Sequence, residues 1–128
     1  MDLTQRTEQV AGDGREFLKT TVGLEYKAAG ITLDAAAFTG DTVVGGTAVY
    51  RQANGLFGPA TTPPVDGAGA EQPITGMGAC LTAHAVKRRD GSNPIVGAIA
   101  KCYADRARCT GVTDAFVTAS AGRINFDL

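Results

Sequence analysis

The chain has 128 residues, seventeen glycines, no tryptophan and a net charge of −1. That length suits one domain able to bury about two-thirds of its unfolded surface. The near-neutral balance offers no electrostatic basis for binding nucleic acid or an anionic membrane, and no apolar run approaches the roughly 20 residues of a spanning helix.

Residues 1–30 are polar, with charges of both signs and a turn signal at Asp13-Gly14. The opening MDLTQRTEQ lacks the apolar core of a signal peptide, so export by that route is not expected. Phe17, Leu18, Val22, Leu24 and Tyr26 are apolar but sustain neither helical nor strand periodicity for long. A solvated leader has no need of them, so this zone reads as an arm that orders on a partner.

Ile31-Thr32-Leu33 reads as a short strand, and residues 34–38 as a helical turn or its extended continuation. The stretch that organises the chain follows, DTVVGGTAVYRQANGLFGP at residues 41–59. Its strand over residues 47–51 puts Ala48 and Tyr50 on one face and Thr47, Val49 and Arg51 on the other. Asn54-Gly55 predicts a two-residue type I′ turn into Leu56-Phe57, and Gly45-Gly46 a bend before the strand. Residues 60–73, with Pro63-Pro64, Asp66-Gly67 and Gly69, read as a mobile surface loop.

A second hairpin is expected from residues 79–83 and 95–100, with Asp90-Gly91 at its tip. Residues 113–121 form a short helix with Thr113 as N-cap, Asp114 in the first turn and Gly122 as the closing glycine. The terminal RINFDL alternates strictly, turning Ile124, Phe126 and Leu128 to one side of a half-buried strand. The class is therefore mainly β, a small single domain with one short helix near the C-terminus.

Chemistry-bearing residues are few. Cys80, Cys102 and Cys109 are an odd set without a C-x-x-C pair, which reads as buried free thiols in a reducing compartment. A zinc site would need all three plus His84, the single histidine, at spacings that match no familiar pattern. His84 has no nucleophile motif beside it, and most aspartates sit in turns where turn chemistry accounts for them. The glycine-rich stretches lack a P-loop lysine, and Lys87-Arg88-Arg89 reads as a solvated hairpin tip.

The order of segments carries more than any single residue. ITLDAAAF, GDTVVGGTAVYR, GLFGP, GMGACLTAHAV, PIVGAIAKCYADRAR and GRINFDL follow a polar leader in this sequence. This succession resembles the head decoration (capsid cement) proteins of tailed bacteriophages, related in kind to the lambda-type decoration protein, most strongly over residues 31–128. The resemblance implies a β-clip-like domain at 31–128 and an extended capsid-binding arm at 1–30 that includes Phe17, Leu18, Val22, Leu24 and Tyr26. It further implies a homotrimer on the outer surface of the virion capsid, made in the host cytoplasm. There it would lock neighbouring major capsid protein subunits after expansion, without a cofactor, enzymatic activity, direct nucleic-acid contact or membrane. The three cysteines and the basic Lys87-Arg88-Arg89 depart from the family pattern. The competing class is a small ligand- or carbohydrate-binding β module, with an enzyme third. Carbohydrate platforms favour aromatics, and the chain offers only Tyr26, Tyr50 and Tyr103 beside its phenylalanines.

Overall fold

The structure, a computed structural model, describes residues 16–88 and 92–126. It is mainly β, with one α-helix near the C-terminal end. The strands are β1 (Leu18–Tyr26), β2 (Ile31–Thr32), β3 (Thr42–Val43), β4 (Ala48–Arg51), β5 (Phe57–Pro59), β6 (Cys80–Thr82), β7 (Val86–Lys87), β8 (Ile95–Val96), β9 (Ala98–Ala104) and β10 (Ile124–Asn125). The main sheet runs β1-β9-β6-β4-β5, with β10 lying parallel on β9. Two short ribbons, β2-β8 and β3-β7, flank it.

Both faces of this sheet are covered, which is why its central strands are apolar almost without interruption. Ala48, Tyr50, Leu81 and Ile99 join Phe17, Phe116 and Ile124 in one core cluster. Val49, Cys80 and Ala98 join Ile31, Leu33, Phe57 and Val96 in the other. The alternation expected for residues 48–50 is thus realised with both sides buried.

The β4-β5 hairpin forms, but not through a type I′ turn. Its loop has three residues, 53–55. Gly55 N–H donates to the Gln52 carbonyl at 3.0 Å and Gln52 N–H to that of Leu56 at 2.9 Å. Gly55 has φ +86° while Asn54 stays at negative φ, so a type I turn closes on a glycine bulge. Asn54 instead uses its side-chain oxygen to accept from Leu56 N–H.

The second hairpin is present only at its base. β6 and β9 pair antiparallel through Leu81–Ile99 and Thr82–Ala98. Beyond that the two chains diverge, β7 to β3 and β8 to β2. The expected tip at Asp90-Gly91 lies outside the described residues, as does Arg89. Arg88 is not a solvated tip residue. Its guanidinium donates to the carbonyls of Gly40 at 2.7 Å and Ala35 at 3.1 Å, tying β7 to the segment before β3.

Residues 60–73 hold a defined turn rather than a loose loop. One Asp66 carboxylate oxygen accepts from both Ala68 and Ala70 N–H at 2.9 Å, and Val65 bridges Glu71. The helix α1 (Asp114–Ser120) starts as expected, with the Thr113 hydroxyl accepting from Phe116 N–H at 3.1 Å. Its left-handed cap is Ala121, with Gly122 next at φ +82°. Phe116 then fills the core facing the sheet. The last strand is shorter than its alternation suggests, and Leu128 falls outside the described residues.

The larger correction is at the start. The boundary expected at residue 30 fails physically, because β1 is the edge strand of the main sheet and Phe17 is 2% exposed in its core. The Phe17 carbonyl also accepts from Asp105 N–H at 2.8 Å. Gly46 makes room for this ring: a Cβ there would lie 2.6 Å from Phe17 Cγ, and its φ of +80° disfavours any other residue. Gly46→Ala is accordingly expected to cost about 1–3 kcal/mol, read as a lower urea midpoint with an unchanged slope. Residues 1–15, the rest of the expected arm, lie outside the described residues.

Candidate functional site: an exposed ribbon

The chain from 18 to 33 is laid against 94–104 along its whole length. Pairing runs from Leu18–Ala104 through Thr20–Tyr103, Glu25–Lys101 and Tyr26–Ile99. It continues through Lys27 N–H to the Ala98 carbonyl, then Ile31–Val96 and Thr32–Ile95, and ends with Leu33 N–H donating to the Pro94 carbonyl. The turn at 27–30 is pinned by Gly30, whose Cβ, if present, would sit 2.7 Å from the Val96 carbonyl oxygen.

This ribbon sorts the five candidate residues. Phe17 is core, and Leu18 and Leu24 pack half-buried against the same cluster. Val22 and Tyr26 face solvent at 73% and 48% exposure. The ribbon adds Ile95 at 70%, which sequence reasoning did not single out because it sits in an apolar run. In β8 it is the outward residue beside the buried Val96.

The outer edge of β1 is irregular. Register shifts fall between 18 and 20, between 20 and 25, and between 25 and 26, and Gly23 has φ +75°. Thr20 Oγ occupies Val22 N–H at 3.2 Å. Such bulges act against regular pairing of another strand along this edge. The ribbon therefore offers side chains more than backbone. The Glu25–Lys101 pair across it, 3.5 Å apart and largely solvated, contributes under about 1 kcal/mol.

Elsewhere the polar residues serve the fold. Asp34 and Asp105 cap 3-10 turns through Ala36 and Ala107 N–H, and Asp114 pairs with Arg106 at 3.1 Å. His84 is exposed, its Nδ1 3.1 Å from the Ala85 carbonyl. Among the described residues no three potential ligands gather to hold a metal.

All three cysteines are free, Cys80 and Cys102 buried and Cys109 half-buried. Burial pushes the Cys80 thiol up to about 12 against opposing Lys27 and Arg123 charge, and that of Cys102 to about 11. Cys109 rises to about 12, through burial first and then the neighbouring Cys102 and Asp105. Raised values mean that the folded state holds these protons longer than the unfolded chain. The contribution is complete below the ordinary thiol range and drains away as pH climbs toward 11–12. Stability should thus fall progressively above about pH 8.5, and less steeply when all three cysteines are serine. Alkylation should label three thiols after denaturation and Cys109 ahead of the others in the native protein, each checked by mass spectrometry.

Comparison with family models, with curated proteins and with solved structures returns no match to this chain.

Proposed function

We propose that this chain is a non-enzymatic structural protein of the virion, a head decoration protein of a tailed bacteriophage. It binds the outer surface of the expanded capsid and cements neighbouring major capsid protein subunits. It acts as a homotrimer without a cofactor, is made in the host cytoplasm, and touches neither the packaged nucleic acid nor a membrane.

The observation that carries this reading is the ribbon, an antiparallel edge with Val22, Tyr26 and Ile95 exposed. In this proposal the residues before β1 contact the same capsid partner as the ribbon. The order of segments across residues 31–128 supports the same reading by resemblance. Small domains gain from symmetric assembly, which raises their apparent affinity for a repeating lattice by avidity.

The test is to mix purified protein with expanded capsids that lack their decoration, and to map the product by cryo-electron microscopy. Density on the outer face, in three-fold clusters bridging capsid subunits, is the expected result. Failure to cosediment, or a stable dimer both free and on capsids, would overturn the proposal.

A further inference from the structure

The chain has three asparagines, and the residue after each sets them apart. Asn93 precedes Pro94, whose backbone nitrogen carries no proton to lose, and Asn125 precedes the bulky Phe126. Asn54 precedes Gly55, where no side chain stands between the backbone nitrogen and the asparagine amide carbon. Both residues are exposed at the tip of the β4-β5 hairpin, and a Cβ added at Gly55 would meet no atom within 4 Å.

From this placement we infer that Asn54 is a site of spontaneous modification, deamidating through a cyclic imide at a rate set by opening of the hairpin loop. The Gly55 nitrogen attacks Asn54 Cγ, forming a new C–N bond. Its proton passes through solvent to the side-chain nitrogen, whose bond to Cγ breaks, and ammonia leaves. Water then opens the imide at either carbonyl, leaving aspartate or isoaspartate at position 54. One water is consumed and one ammonia released, with no oxidant or enzyme. The new carboxylate is ionised at neutral pH, so the formal net charge of −1 becomes −2.

In the closed loop both reacting groups are engaged elsewhere. Gly55 N–H donates to the Gln52 carbonyl at 3.0 Å, and Asn54 Oδ1 accepts from Leu56 N–H at 3.0 Å. The ring closes only when these two bonds open. Hydrogen bonds at an exposed loop tip open locally, far more often than the whole domain unfolds. Aspartate at position 54 can keep the contact to Leu56 N–H. Isoaspartate instead adds a backbone atom to a loop whose ends are tied by Gln52 N–H and the Leu56 carbonyl at 2.9 Å, so that product loosens the hairpin. The site lies apart from the ribbon, and the inference stands whether or not the chain decorates a capsid.

The experiment incubates the full-length protein in mildly alkaline buffer, folded and in guanidinium chloride, and follows acidic species by ion exchange and peptide mass spectrometry. Expected is conversion at Asn54 to mixed aspartate and isoaspartate, about ten- to a hundredfold slower in the folded chain. Asn54→Gln should remove that species in both states, because glutamine must close a larger ring. Asn54→Asp should coelute with the aspartate product. Asn54 is exposed, so both variants should keep the parent amide spectrum, which verifies their fold. Equal rates in the two states would overturn control by the loop. Persistence of the acidic species in Asn54→Gln, or no conversion of the folded chain after about a hundred half-times of the denatured one, overturns the site itself.

Discussion

Phe17→Ala is expected to destabilise the protein by about 3–5 kcal/mol, a large share of the roughly 5–15 kcal/mol that holds a domain together. The ring is 2% exposed and belongs to the cluster that includes Phe116 and Ile124. The backbone turns left-handed at Gly46 beneath it, so truncation leaves a cavity whose floor is pinned and cannot collapse easily. A chain lacking residues 1–15 keeps Phe17 and β1, and its urea midpoint is the reference. Removing residues 1–21 should lower it as far as Phe17→Ala or further, because that cut takes the ring and the first turns of the β1-β9 pairing. Limited proteolysis should agree, leaving a resistant fragment that begins no later than Phe17. Equal midpoints for the two truncations would show that Phe17 and β1 add nothing to the fold.

This edge is also where the sequence was hardest to read. Leu18, Thr20, Val22, Leu24 and Tyr26 do occupy alternate positions, the strand signature. But the bulges about Gly23 break the link between alternation and burial, so Val22 faces water while Leu24 packs half-buried. Pairing with β9 spans some eighty residues of chain, and nothing local announces it. By contrast, the helix was legible down to its cap, because Thr113 and Phe116 settle it within one turn. The strand was legible too, since the alternation of residues 48–50 is honoured on two buried faces and Arg51 is exposed at its end. Arg88 misled for an electrostatic reason: a basic run reads as solvated, yet one guanidinium can satisfy two backbone carbonyls that no strand partner reaches. Of the candidate site, then, residue types were readable and their division between core and surface was not.

Under the proposed role, that division sets the contact that should matter most on a capsid. Val22→Lys together with Ile95→Lys is expected to weaken capsid binding at least about a hundredfold, since each large apolar side chain removed from water is worth about 1.5–3 kcal/mol. Both side chains are more than two-thirds exposed in the free protein, so the melting temperature should stay close to the parent's. Lysine is tolerated on strand edges, which keeps the ribbon intact while both positions lose their apolar character. Avidity within an assembly would deepen the loss, because every copy is weakened at once. The truncation of residues 1–15 separates the two contributors, as it spares the ribbon and the core alike. If it binds like the full chain while the lysine pair does not, the ribbon holds the contact alone. If both are weakened, leader and ribbon act together. Should the lysine pair bind as tightly as the parent, the ribbon is not the capsid-facing surface, whatever the truncation does.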